Sequence, residues 1–112
     1  MTDRLFVYGT LKPGASAWPL LEPYATGSWP ATLPAVLYDT GRGYPALLLG
    51  AGPGVAGWVV ELRSPSAAAL SAMDSYEGTE YQRVLVTLPD GTECWTYVWV
   101  EEIAGMARLE VW

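Results

Sequence analysis

Chemistry in this chain has to come from carboxylates, tyrosines or the single lysine, Lys12, because the 112 residues include no histidine and only one cysteine, Cys94. Ser-His-Asp and Cys-His catalysis, zinc sites built on His or paired Cys, and intrachain disulfides are thereby excluded. Two segments then stand out. In Leu5-Phe6-Val7-Tyr8-Gly9-Thr10-Leu11-Lys12-Pro13-Gly14 an apolar run ends in a glycine and a small hydroxyl residue. A chain that turns sharply there can aim consecutive backbone N–H groups at one point, a nest that binds an anion without a cation. The same spacing also fits an ordinary strand-to-loop corner. The second segment, Leu70 to Arg83, carries Met73-Asp74-Ser75-Tyr76-Glu77-Gly78. A carboxylate just past an apolar helix face is partly desolvated, which raises its pKa from about 4.3 toward the neutral range a proton shuttle needs. A Glu at a helix end is also commonly a solvated surface charge, and Asp74 is the competing carboxylate. Cys94 lies in the alternating run Glu93-Cys94-Trp95-Thr96-Tyr97 and reads as packing rather than chemistry.

The elements that must position these residues follow from patterning. Arg4 to Tyr8 reads as a strand buried on both faces and closed by Gly9. Ser16 to Tyr24 allows only a short helical turn, because Pro19 and Pro23 limit it. From Ala25 to Gly54 the chain is dense in Gly and Pro, with short strands expected at Ala35 to Tyr38 and Ala46 to Leu49. Within it, Gly50-Ala51-Gly52-Pro53-Gly54 lacks the Lys and helix of a phosphate loop and reads as a flexible turn. Val55 to Leu62 is another strand. It leads to a helix expected to be capped by Ser64 with Pro65 at its first position, running through Ala67, Leu70 and Met73 to about Tyr76, with Gly78 as its stop. Tyr81 to Leu88 and Glu93 to Val100 form a hairpin about Pro89-Asp90-Gly91-Thr92, and the tail from Glu101 closes as a short strand. About six strands, one clear helix and no βα alternation give an α+β fold, a small curled sheet or barrel that hides its edges.

Length and composition bound the rest. A 12.1 kDa chain that is 51% hydrophobic and 16% charged is expected to be one domain, residues 1–112, burying roughly 65% of its unfolded surface. Six basic against twelve acidic residues give a net charge of −6, which disfavours nucleic acid and anionic membranes. The start MTDRLFVYG lacks the architecture of a secretory signal, and no apolar stretch nears the roughly 18 residues of a membrane helix, so a cytoplasmic protein is expected. Six Trp and seven Tyr interleaved with few bases read as core and pocket lining rather than base-stacking platforms.

Taken together, Tyr8-Gly9-Thr10-Leu11, Tyr76-Glu77-Gly78 and Tyr81-Gln82-Arg83, with Gly43-Tyr44-Pro45-Ala46 between them, resemble the gamma-glutamylcyclotransferase-like family in its small bacterial type. Each motif alone is weak, and the ordered set is specific. The resemblance implies a small mixed β-barrel with one or two flanking helices and an activity that cleaves a gamma-glutamyl amide through the substrate's own α-amine, releasing 5-oxoproline and an amine or amino acid. It implies no metal or organic cofactor. Carried onto this sequence, it makes Glu77 the general acid/base, gives the N–H groups of Gly9, Thr10 and Leu11 the glutamyl α-carboxylate, and lets Tyr8 and Tyr81 line the pocket. Only Gly78-Thr79-Glu80 separate Glu77 from Tyr81, a shorter loop than in several family members. Glutathione, gamma-glutamyl amino acids, gamma-glutamyl-lysine-type amides and a biosynthetic intermediate all stay open as substrates. Two further readings remain: a small-molecule-binding module on the same fold without turnover, and an interaction domain using exposed Trp18, Trp29 or Trp112. The first two require Glu77 beside the Tyr8 to Leu11 turn, whereas the third requires a flat apolar patch.

Overall fold

The structure is a computed structural model and describes residues 2–112. In chain order the elements are β1 (Arg4–Val7), α1 (Trp18–Leu21) running into a 3-10 turn (Glu22–Tyr24), β2 (Ala25–Leu33), β3 (Ala35–Asp39), β4 (Pro45–Leu49), β5 (Val55–Leu62), α2 (Ala67–Glu77), β6 (Tyr81–Thr87), β7 (Glu93–Trp99) and β8 (Ala107–Leu109). Among the described residues the fold is mixed α+β, with two helices and two sheets.

β1 is the middle strand of the larger sheet, whose order is β2-β5-β1-β7-β6. It runs antiparallel to β5, with Phe6 opposite Val59, and parallel to β7, with Leu5 opposite Trp95. Successive side chains of a strand point to opposite faces. Accordingly Leu5 and Val7 pack with Leu21, Val60, Leu70 and Met73 on the helix side, while Phe6 and Tyr8 pack with Leu37, Leu47, Val59 and Cys94 on the other. A strand covered on both faces reads as a continuous apolar run, which is why this one was recognisable without alternation.

The strands do not close into the expected barrel. They form two sheets, the second being β4-β3-β8, and β2 and β6 stay as free edges of the first. Pro34, between β2 and β3, has no N–H with which to continue a ladder, and the chain leaves the larger sheet there. β3 then pairs antiparallel with β4 and with β8, the strand expected in the tail. The smaller sheet covers the second face of the larger one instead of extending it.

Two local expectations are also corrected. β2 is a nine-residue strand paired along its length with β5, in a Gly- and Pro-dense stretch of strands and turns where the strands expected by position lie only at Ala35 to Tyr38 and Ala46 to Leu49. As an edge strand it accommodates Pro30, which needs no ladder partner on its outer side. Helix α2 starts at Ala67, not at Pro65, because the first i to i+4 bond is made by Leu70 N–H to the Ser66 carbonyl. Ser66, and not Ser64, holds the cap position, and its hydroxyl donates to Asp3 Oδ1 at 2.6 Å. The β6–β7 hairpin closes as read, with Leu88 N–H bonded to Thr92 O and Gly91 at φ 90°. No helix among the described residues is long and apolar enough to cross a membrane.

Candidate active site

A narrow cleft opens where β1 ends, with about 320 Å³ of empty space including its mouth. Tyr8, Gly9, Thr10 and Leu11 form one wall, Glu77 enters from the end of α2, and Tyr81 enters from the start of β6. Tyr44, Pro45 and Tyr97 complete the lining. All six residues proposed from sequence therefore meet in one place. A wider hollow of about 560 Å³ shares Thr10, Tyr44, Glu77 and Tyr81 with the cleft and continues outward over Tyr76 and Glu80.

The turn after β1 is fixed by Lys12 N–H bonding to Gly9 O at 3.1 Å and Ala17 N–H bonding to Thr10 O at 2.8 Å. The carbonyls of this turn are thus engaged, whereas no turn or loop hydrogen bond among the described residues takes up the N–H groups of Gly9, Thr10 and Leu11. Gly9 is demanded by close approach, since a β-carbon there would lie 3.0 Å from Cγ and Cδ of Pro45. Lys12 Nζ donates to the main-chain carbonyl of Trp112, which holds the tail against the same turn. Across the cleft, the Thr10 hydroxyl and the Tyr76 phenol are 2.8 Å apart.

Glu77 is the last residue of α2, and Gly78, at φ 77°, takes the chain out of the helix and toward β6. Met73, one turn back, is buried in the helix-side core and draws this end of the helix onto the sheet. No side-chain hydrogen bond among the described residues engages the Glu77 carboxylate. Burial pushes its pKa up to about 7, and its place at the negative end of a helix acts in the same direction. A carboxylate so placed can both accept and return a proton near neutral pH.

Three phenols surround it, and burial raises the pKa of each, so all stay protonated. Tyr8 Oη donates to the Tyr97 carbonyl at 2.7 Å, Tyr81 Oη to the Pro45 carbonyl, and Tyr97 Oη to Asp74 Oδ1 at 2.7 Å. Their protons are committed to protein acceptors, so they offer the cleft their rings and oxygen lone pairs. Tyr81 is further held edge-on to Trp99, with centroids 5.2 Å apart. Asp74, the competing carboxylate, lies behind this wall and pairs with Arg83 Nε at 2.8 Å. Desolvation raises its pKa, but the bonds from Arg83 and Tyr97 outweigh it and hold Asp74 below its usual range. Asp74 is thus a fixed anion and Glu77 the titrating one.

Sequence reading missed Tyr44, Pro45 and Tyr97. The first two lie in the Gly43-Tyr44-Pro45-Ala46 stretch that carried the resemblance without a role, and Tyr97 is one aromatic among several in β7. Cys94 is fully buried, and burial pushes its thiol up to about 11, in keeping with packing. Trp18, Trp29 and Trp112 are each partly buried against a core cluster, not gathered in an exposed patch. Among the described residues no group of three or more His, Cys, Asp and Glu side chains is placed to hold a metal ion.

The family model described as "Gamma-glutamyl cyclotransferase, AIG2-like" matches residues 5–111, which takes in the Tyr8 to Leu11 turn, Glu77 and most of the tail. The chain belongs to that family. Two members with curated names are similar to it. One, from Halalkalibacterium halodurans, is named "Putative gamma-glutamylcyclotransferase" and is 39% identical over 67 residues, 55% of this chain and 60% of that one. The other, "Gamma-L-glutamyl-butirosin B gamma-glutamyl cyclotransferase" from Niallia circulans, is 31% identical over 97% of this chain and 74% of its own length. The match thus spans less than two thirds of the first cyclotransferase relative and about three quarters of the second. A crystal structure from Pyrococcus horikoshii superposes with a TM-score of 0.70 at 23% identity, covering 97% of this chain and 86% of that one. That likeness concerns the fold.

Proposed function

We propose that this member of the gamma-glutamyl cyclotransferase family is an enzyme, acting as one domain over residues 1–112, that cleaves a gamma-glutamyl amide by intramolecular attack. The substrate's α-amine attacks its own γ-carbonyl carbon, a five-membered lactam forms, and the amide C–N bond breaks to release 5-oxoproline and an amine or amino acid. The reading is carried by one observation: a carboxylate with its pKa raised to about 7 meets, in one cleft, the N–H groups of Gly9, Thr10 and Leu11, which no turn or loop hydrogen bond among the described residues takes up.

In this scheme the cradle N–H groups hold the α-carboxylate of the glutamyl group, an anion that the chain's net charge of −6 does not attract unaided. Glu77, ionised, takes a proton from the α-amine as the N–C bond forms and returns it to the departing nitrogen, so one carboxylate serves both steps. Tyr8 and Tyr81 line the pocket and fold the glutamyl chain toward its attack geometry, which supplies much of the acceleration because nucleophile and electrophile belong to one molecule. The outer hollow over Tyr76 and Glu80 receives the leaving group. Because it opens to solvent, the leaving group can vary, and a gamma-L-glutamyl-butirosin B type of substrate, the one in the name of the Niallia circulans relative, is one class it admits. An acidic chain whose one cysteine is buried and unpaired suits the cytoplasm.

The reading is tested by incubating the protein with gamma-glutamyl dipeptides, gamma-glutamyl amines and glutathione and following 5-oxoproline by mass spectrometry. Release from at least one substrate, with its amine in equal amount, supports it and names the leaving group. No release from any of them favours a binding module on the same fold.

A further inference from the structure

Tyr97 is the meeting point of the two halves of the site. Its carbonyl accepts the Tyr8 hydroxyl from the cradle side, and its own hydroxyl donates to Asp74 on α2. Its side chain is almost wholly buried at the centre of the fold, on the strand that pairs with β1. Asp74 lies one helical turn before Glu77, a spacing that places their side chains on neighbouring positions of the helix surface. Asp74 is in turn clamped by Arg83 through two contacts, Nε at 2.8 Å and Nη2 at 3.3 Å, and the guanidinium lies 4.4 Å from the ring centre of Trp95. β6 and β7 therefore grip α2 at Asp74. The Asp74 carbonyl also accepts the Gly78 N–H at 3.1 Å, so the backbone loop that encloses Glu77 closes on the same residue.

We propose that Asp74 is a positioning residue which, through Tyr97 and Arg83, holds the last turn of α2 against the sheet and so keeps Glu77 sequestered in register with the cradle turn. This rests on the assignment of Glu77 as acid/base. The physical reason is that helix ends fray and admit water unless they are tied. Tyr76 adds one tie, its phenol lying 2.8 Å from the Thr10 hydroxyl, but that contact is solvent-exposed, and Glu77 has no side-chain hydrogen bond among the described residues, so Asp74 carries the more buried share of the anchorage. The groups facing Glu77 are the Tyr8, Tyr81 and Tyr97 phenols inside and Tyr44, Tyr76 and Glu80 toward the mouth, with Asp74 and Arg83 behind the Tyr97 wall. At the mouth Arg42 is paired with Glu80 at 2.7 Å, and behind the wall Arg83 is paired with Asp74 at 2.8 Å, so in a variant that keeps both pairs water entry is the main influence that a freed helix turn would change.

The test follows the Glu77 carboxyl carbon by NMR across pH, its resonance identified by its loss in Glu77→Gln, in the wild type, Asp74→Ala and Tyr97→Phe. Tyr97→Phe keeps the Asp74–Arg83 pair and the ring while cutting the link to the strand, so it serves where Asp74→Ala folds poorly. The titration midpoint is expected to fall by at least one pH unit in each folded variant. Turnover should fall roughly tenfold, mainly in kcat, with the acid limb of the rate profile moving to lower pH. An unchanged Glu77 midpoint in a folded variant overturns the proposal and leaves Asp74 a stabilising residue only. Failure of both variants to fold overturns it in the same way. If the wild type turns over no gamma-glutamyl substrate, the functional reading fails, while the titration still decides the role of Asp74.

Discussion

Pro45 sits so close to Gly9 that a β-carbon on the glycine would come within 3.0 Å of two proline ring atoms, and the carbonyl of the same proline accepts the Tyr81 hydroxyl. One residue from the smaller sheet thereby sets both the cradle turn and the opposite wall of the cleft.

Gly9→Ala should push the turn away from Pro45. Relieving such a contact costs about 1–3 kcal/mol in packed protein, and urea denaturation should register a loss of that size. Because the misplaced N–H groups are those proposed to hold substrate, KM should rise at least about tenfold with a smaller change in kcat.

The raised pKa of Glu77 has consequences of opposite sign for activity and stability. A base must be ionised to accept a proton, so kcat/KM should climb as pH rises through about 7. Folding runs the other way. The folded state keeps the Glu77 proton to higher pH than the unfolded chain, whose Glu ionises near 4.5. Raising pH from about 4.5 to about 7 therefore removes stability, and above that the full cost of about 3 kcal/mol is present. Glu77→Gln does not titrate, so it should be more stable than wild type at pH 8 and lose most of that advantage at pH 4. Denaturant midpoints at the two pH values check this.

Cys94 should resist alkylation. With the thiol wholly buried and its pKa near 11, iodoacetamide at pH 7.5 should leave the folded protein unmodified by mass and fully active. Modification accompanied by inactivation would place a thiol in the chemistry after all.

Arg42 pairs with Glu80 at 2.7 Å and lies over the rings of Tyr44 and Trp99 at the mouth of the cleft. An exposed ion pair contributes little to folding, so Arg42→Ala should leave stability nearly unchanged. Its effect should be on KM and should vary with the leaving group, since the substitution strips the cation from Glu80 in the outer hollow, where Tyr44 Oη still donates to it at 2.9 Å, while leaving Glu77 in place. Comparing KM for a neutral and a cationic leaving group in both proteins checks it.

What could be read from sequence was set by how local the physics is. The strand ending at Gly9, the helix carrying Leu70 and Met73 and the turn at Asp90-Gly91 each declare themselves through neighbours, and they bring the cradle and Glu77 with them. β2 was hidden because Gly27, Ser28 and Pro30 are turn residues by habit and strand residues only at an edge. The division into two sheets depends on which strands pair across long separations, and a single Pro34 marks it. Ser64 and Ser66 are equivalent caps by type, and the contact of Ser66 with Asp3 ties the helix start to the N-terminal segment. The Asp74–Tyr97 bond joins residues 23 positions apart on different elements, and nothing in either local pattern announces it.

The most direct test of the account is to compare 5-oxoproline release by the wild type and by Glu77→Gln on whichever gamma-glutamyl substrate turns over, with circular dichroism confirming the fold of both. Loss of an acid/base carboxylate should lower kcat by at least about 100-fold with the fold intact. A well-folded Glu77→Gln protein that retains more than a few per cent of wild-type turnover would contradict the assignment of Glu77 as the group that moves the proton.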